Sequence, residues 1–313
     1  MLRRLVPRLI GSVALLVIVP TITFFLQGIA PVNVARLVLG LAASQSQVNA
    51  FNQRLGLNRP LVIRYFHWLA GAVHGNLGIS YATSQSVQSI LAPRLTVSLS
   101  LIVGSVIVFT VAGIVLGVLS ATGGTVLGKI IDGVSAIGIA VPNFWLAVIL
   151  VTAFAVEIPL FPATGYQPFS AGPRLWLGAL ILPVIALSFG GITAVAKQTR
   201  DQMLLAAASP YTRTLRANGA SEFSLIYKHA LRNAAGPVVT VLGIIFVGAL
   251  SGTVIIENIF VLPGLGSQAL QSALQADLPV IQGIALYFTI IVVIVNVLVD
   301  IASALLNPRV RGS

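Results

Sequence analysis

The chain has 313 residues, of which 57% are hydrophobic and 8% charged, where soluble domains carry about a quarter charged residues, so a soluble globular domain is excluded. The net charge of +11 does not imply nucleic acid, because the bases cluster at the ends of apolar runs rather than on one soluble face. The absence of cysteine removes disulfides, thiolate metal sites and Fe–S clusters, and the acids and histidines are too scattered to suggest a metal site.

Charged residues divide the chain into apolar runs. The first lies between Arg8 and Arg36, about residues 10–28. It is longer than the roughly 7–15-residue core of a signal peptide and no cleavage site closes it, so it reads as a retained helix. Uncharged gaps follow between Arg94 and Lys129, Asp132 and Glu157, Arg174 and Lys197, Arg232 and Glu257, and Asp277 and Asp300. Each holds the ~20 residues that a spanning helix needs. The expectation is an all-α, polytopic membrane protein with six transmembrane helices. With the N-terminus inside, Arg3, Arg4, Arg8, Lys129, Lys197, Arg200, Arg213, Arg216, Lys228, Arg232, Arg309 and Arg311 are all cytoplasmic, which satisfies the positive-inside rule and places both termini in the cytoplasm.

Residues 30–93 are too polar to span and form an external insert. Within it, 60–73 reads as an amphipathic helix with Leu61, Tyr65, Trp68 and Ala72 on one face, closed by His74-Gly75 and suited to the outer interface. His67 and His74 lack acidic companions and read as interfacial histidines rather than ligands. Gly113 and Gly117, and again Gly248 and Gly252, have the GxxxG spacing that lets helices approach closely. Pro142 and Asn143, followed by Phe144, interrupt the third helix, and Pro183 sits in the fourth. Proline frees a backbone carbonyl that needs another partner, so these positions are either path linings and hinges or plain kinks. A second external loop, 257–280, contains Glu257, Phe260 and a Pro263-Gly264 turn. A short helix over 266–276 follows, and Asp277 restarts the chain into the sixth helix.

Between the fourth and fifth apolar runs lies a long, basic, polar segment, 197–233. It reads as two short helices joined at Gly219. Ser209-Pro210 is an N-cap followed by proline at the first helical position. From Ser221 onward, Phe223, Ile226, Tyr227, Ala230 and Leu231 fall on one side at helical spacing. Two readings fit: a helix pair that docks into a groove of a soluble partner, or a basic loop that only sets topology.

Catalytic motifs fail. Residues 123–129 match the first seven positions of a P-loop, but Ile130 stands where the Mg²⁺-holding hydroxyl belongs and no strand precedes. The chain itself is therefore expected to bind no ATP. Single acids exclude paired-carboxylate chemistry, so the chain is not expected to be an enzyme. Asn296 and Asp300 read as an ion-pair or interface feature of the sixth helix rather than an ion path.

Segment 197–233 resembles the cytoplasmic "EAA" loop of ABC-importer permeases. The whole chain is similar to the first permease of the dipeptide/oligopeptide/nickel importer family. The matching pieces are Leu55-Gly56-Leu57-Asn58-Arg59-Pro60 with His74-Gly75-Asn76-Leu77-Gly78-Ile79-Ser80, and Val141-Pro142-Asn143-Phe144-Trp145. They continue with Tyr211-Thr212-Arg213-Thr214-Leu215-Arg216-Ala217-Asn218-Gly219, Lys228-His229-Ala230-Leu231-Arg232-Asn233, and Glu257-Asn258-Ile259-Phe260-Val261-Leu262-Pro263-Gly264-Leu265-Gly266. The last are Asn296-Val297-Leu298-Val299-Asp300 and Asn307-Pro308-Arg309-Val310-Arg311.

The resemblance implies a type I importer permease fold spanning 1–313. It also implies a second, homologous permease, two ATP-binding subunits that carry ATP and Mg, and an extracytoplasmic substrate-binding protein. It carries the ATPase contact onto Tyr211, Arg213, Leu215, Arg216, Ala217, Gly219, Ala220, Phe223, His229 and Leu231. The implied substrates are di- or oligopeptides, with nickel chelates or glutathione-like peptides as alternatives. The chain departs from the family at Val32-Asn33-Val34, at Asn76, which stands where an acid is usual, and at Leu215 and Asn218. A self-contained secondary transporter is the reading from another class, and it requires paired membrane-embedded acids and an inverted repeat, neither of which is apparent.

Overall fold

The computed structural model describes residues 2–29, 34–40 and 42–306, and they are helical with no strand beyond one isolated bridge, Ile79 with Ser86. Val32, Asn33 and 307–311, named above, lie outside the described residues. In order, the elements are α1 (Leu2–Ile29), α2 (Val34–Leu39), α3 (Gln45–Arg54), α4 (Leu61–Val73), α5 (Val87–Thr122) and α6 (Gly124–Ala140). They continue with α7 (Asn143–Val151), α8 (Pro173–Ala208), α9 (Pro210–Ala217), α10 (Leu231–Ile259), α11 (Leu265–Leu274) and α12 (Leu278–Leu306).

Among the described residues, five helices are long and apolar enough to cross a membrane: Ile10–Ile29 of α1, α5, α8, Ser224–Ile259 and α12. The third apolar run is interrupted at Pro142 and Asn143, where the sequence places the break. It divides into α6 and α7, and α7 with its terminal π turn, Asn143–Glu157, is too short to qualify. Pro142 has no N–H to donate and drives Val141 into an extended conformation (φ −75, ψ 119), so the helix must end there. Pro183, by contrast, is buried inside an unbroken α8. α5 starts at Val87, inside the stretch assigned to the external insert.

The chain divides into two compact units. One comprises Leu99–Leu262 with the C-terminal part of α12 from Val295. α8 is its axis, with buried residues all along its length from Ala179 to Met203. Small residues set the spacing. A Cβ added to Gly113 would lie 2.6 Å from Val195 Cβ, one at Gly117 would lie 2.6 Å from the Ala196 carbonyl oxygen, and one at Gly191 would lie 2.9 Å from the Phe109 ring. Gly138 of α6 meets Thr193, and Gly252 of α10 meets Leu187, in the same way. Where lipid removes the hydrophobic drive between helices, such close approach supplies the packing energy. The second GxxxG pair works at one end only, because Gly248 faces open space.

The other unit comprises Leu2–Ser98 with Pro263–Ile294. Leu77, Val87, Leu91, Leu265, Val280 and Ile284 form its core, and Gly283 lets α12 close on Val87 and Leu91. α4 lays Tyr65 on α1, where its hydroxyl meets Thr21 Oγ1 at 2.6 Å and its ring meets Phe24 edge-on at 5.4 Å. The capping box of α3, Ser44 with Gln47, satisfies its first backbone donors.

The glycine contacts predict a contrast. Gly117→Val, which must displace backbone, should cost about 3 kcal/mol or more, whereas Gly248→Val should be near neutral. Thermal unfolding of the detergent-solubilised chain, followed by size-exclusion chromatography, reads both.

Candidate functional site

The basic segment 197–233 is not two free-standing short helices. Residues 197–208 are the end of α8, and the second helix runs without a break from Glu222 through a π turn, Ser224–Ala230, into α10. Only α9 is short. Ser209 caps it, accepting from Thr212 N at 3.3 Å, with Pro210 at its start. Gly219 ends it at φ +85. The Gly219 N–H donates to Arg216 O (3.0 Å) and the Ala220 N–H to Leu215 O (3.1 Å). This is the Schellman arrangement, which favours glycine at the left-handed position.

The π turn redirects side chains. Its i→i+5 spacing puts Leu225 and Ala230 inward together, both buried. Ala230 belongs to a cluster with Val118, Met203 and Ala234, against which Ile226 and Leu231 pack. Phe223 and Tyr227, expected on that same apolar side, instead point out at 72% and 46% exposure, stacked on each other with ring centroids 4.6 Å apart. The single apolar face expected at ordinary helical spacing is therefore split in two.

Two contacts tie α9 to the π turn. Tyr211 OH meets His229 Nδ1 at 3.1 Å, with the rings edge to face. Arg216 donates to both carboxylate oxygens of Glu222, at 2.5 and 3.1 Å. These hydrogen bonds hold the Glu222 carboxyl below the usual carboxylate range and the Arg216 guanidinium above its ordinary value. The bridge thus persists at neutral pH and is lost as pH falls through the lowered Glu222 value. Arg213 and Ala217 are exposed and Leu215 is half-buried. The result is a basic, aromatic knob that exposes Tyr211, Phe223 and Tyr227 together with Arg213, Arg216 and Lys228.

Sequence reasoning missed Glu222, Thr212 and Asp132. Thr212 is buried and its hydroxyl donates to Ala206 O at 2.7 Å. Asp132 of α6 accepts from Arg200 of α8 at 2.9 and 3.0 Å, and Arg200 also covers Gly128. The P-loop look-alike is thus the start of α6, with Gly124 at φ +84 and Gly128 left small for an arginine. No local pattern signals a pair so far apart in the chain.

At the α6–α7 break, Asn143 turns toward α8 and α10. A Cβ on Gly190 would lie 3.8 Å from its Oδ1, and one on Gly252 would lie 3.5 Å from its Nδ2. Phe144 and Trp145 are exposed. Pro183 is not part of this group.

The candidates of the second loop separate. Glu257 and Phe260 are buried, and Phe260 O accepts from Gly165 N at 2.9 Å. Gly264 begins α11, with Pro263 just before it. Asp277 is buried and functions as a clamp. Its carboxylate accepts from the Ser80 hydroxyl and, at 3.0 Å, from Tyr81 N. Burial pushes the Tyr81 phenol up, against the lowering effect of the Arg64 guanidinium. Asn76 shapes the preceding turn, accepting from Gly78 N at 3.0 Å.

Residues 113–312 match the family described as the inner membrane component of binding-protein-dependent transport systems, and residues 1–102 match its N-terminal companion. A Brucella abortus (strain 2308) protein named as a peptide transport system permease is 38% identical over 312 residues, covering 97% of each chain. The dipeptide transport system permease protein DppB of Bacillus subtilis (strain 168) is 34% identical over 315 residues, covering 99% of this chain and 98% of the relative. A crystal structure of an amino acid ABC transporter with histidines superposes with a TM-score of 0.52 at 16% identity, over 69% of this chain and 94% of the other. This likeness shows the type I importer permease fold.

Removing the clamp leaves the Ser80 hydroxyl and the Tyr81 N–H without their acceptor. Asp277→Ala should therefore destabilise the chain by about 2–4 kcal/mol. Ser80→Ala, which removes the bond to Asp277 and the two that Thr83 donates to the Ser80 hydroxyl, should cost a comparable amount. Differential scanning fluorimetry in detergent checks both.

Proposed function

Because the chain belongs to the family of binding-protein-dependent transport system inner membrane components, a multi-pass family of the cell membrane, we propose that it is the permease subunit of an ATP-driven importer of di- and oligopeptides. The names of its relatives support the substrate class. In this reading it pairs with a second, homologous permease, and the path runs between the two. Two ATPase subunits bind inside, one per permease, and carry ATP and Mg. A substrate-binding protein docks outside on the insert and the 257–280 loop. Both termini are cytoplasmic, and the divided α6–α7 pair makes the third of six crossings, with Pro142, Asn143 and Phe144 lining the path.

The observation that carries the proposal is the knob at α9. It joins the ends of two long apolar helices, α8 and α10, and its aromatics face outward while its base is packed on Met203 and Ala234. A lever needs both features: a surface for the partner and a rigid link to the membrane helices. Closure of the ATPases would draw the knobs of the two permeases together and switch the path from inward-open to outward-open.

Gly219 separates the readings. Nothing lies within 4 Å of a Cβ added there, so a substitution acts through the backbone alone, at about 1–2 kcal/mol for a β-branched residue at positive φ. In proteoliposomes of the whole importer, Gly219→Val should leave ATP hydrolysis running while peptide uptake falls at least about fivefold. Gly219→Asn, which tolerates that conformation, should transport normally. Unchanged uptake in the valine variant would sink the coupling assignment.

A further inference from the structure

The unit that contains the insert encloses a cavity of about 560 Å³. It lies among the end of α1, the α3–α4 turn, α4, the 76–81 turn and the start of α12. Arg54, Arg59 and Arg64 line it, and no acidic side chain does. Three guanidinium groups around one space give it a positive potential that attracts an anion. The proposed coupling and path do not use this space, which lies within the elements on which the binding protein is proposed to dock.

Its polar atoms point the same way. Gln27 Nε2, Trp68 Nε1 and Gln282 Oε1 all belong to cavity-lining residues, and all are buried without a hydrogen-bond partner. Buried polar atoms are satisfied in the great majority of cases, and three in the walls of this one cavity have no protein partner. Gln282 is only 1% exposed, and its Nε2 donates to Pro20 O at 2.8 Å, while its Oε1 has no protein donor. The lining side chains thus offer three guanidinium groups, the Trp68 indole and the amides of Gln27 and Gln53 as donors, and amide oxygens, Gln282 Oε1 among them, as acceptors. That set fits a group bearing several anionic oxygens and a hydroxyl. Three guanidinium groups repel an ammonium group and no carboxylate in the lining offsets them, which disfavours a zwitterionic peptide or a choline-type headgroup.

The position is that of a phospholipid headgroup. The cavity opens where the apolar run of α1 ends, beside Phe24, Tyr65 and Trp68, the aromatic types that gather at the membrane–water interface. Ile63 lines it and is 54% exposed, and Val62 and Phe66 extend the apolar surface on which acyl chains can rest. We propose that this cavity binds the phosphate and hydroxylated headgroup of one anionic phospholipid of the phosphatidylglycerol type. The lipid would link α1, of whose apolar window only 6% is buried in the protein, to α4 and the start of α12.

The test is native mass spectrometry of the full chain, purified with whatever copurifies and offered phosphatidylglycerol or phosphatidylcholine in mixed micelles. One tightly held phosphatidylglycerol and no phosphatidylcholine is the expected result. An Arg54→Gln/Arg59→Gln variant, altered at two exposed positions, should retain at least about tenfold less. Equal retention of both lipids, or equal retention by variant and parent, overturns the proposal. So does displacement of the lipid by millimolar inorganic phosphate, which would make the cavity a free-anion site. Should the variant not purify as a single species, a photoactivatable phosphatidylglycerol on the unaltered chain decides. Labelling within 53–68 supports the site, and labelling confined to other segments overturns it.

Discussion

The structure depends on how closely its neighbours can approach α8. In a bilayer the apolar side chains of a helix gain nothing by leaving lipid for protein, so association rests on contact and on hydrogen bonds between helices. α8 is buried along most of its length, and the residues that meet it are glycines: Gly113 and Gly117 from α5, Gly138 from α6 and Gly252 from α10. Each brings a backbone within reach of a side chain or a carbonyl of α8. A Ser188 hydroxyl that donates to its own Val184 O and lies 3.3 Å from Ser105 O adds a polar link at the same interface.

This arrangement bears on function through the end of α8. Because α8 is held along its sides, the knob that follows it is held too. Met203 and Ala206 carry the packing into the α9 region, and the π turn returns the chain with Ala230 in the same cluster and Leu225 buried. The π turn closes each hydrogen bond over one more residue than an α-helix does and thereby frees Phe223 and Tyr227 for the outside. π turns of this kind are found preferentially at functional positions. The polar contacts Tyr211–His229 and Arg216–Glu222 are exposed and individually weak. They set the orientation of α9 rather than the stability of the fold.

The unit that contains the insert follows a different logic. It has many turns and few long helices, so its order comes from polar groups satisfied at a distance. Asp277 restrains the 79–86 turn, Ser98 accepts the first N–H of α11 at 2.8 Å, and Gln282 holds Pro20 O. Each of these joins segments far apart in the chain around the Leu77–Val87–Ile284 core. The same economy makes the orphaned atoms around the cavity conspicuous.

The sequence by itself determined the all-helical class, the positions of the long apolar helices, the Ser209-Pro210 start and Gly219 end of α9, and the break at Pro142. All of these follow from local rules: apolar run length, capping chemistry and the missing proline N–H. The approach of α5 through Gly113 and Gly117 was legible for the same reason. Only the tertiary structure decided that α5 begins at Val87, that 222–259 is one continuous helix, and that Phe223 and Tyr227 face away from Ala230. It alone joined Asp277 to Ser80, Asp132 to Arg200, and three arginines with three unpartnered polar atoms around one cavity. Those outcomes depend on partners tens to hundreds of residues away. A π turn costs little locally, and packing against Val118 and Met203 selects it. A buried carboxylate or amide reveals its role only when the donor it serves is brought beside it.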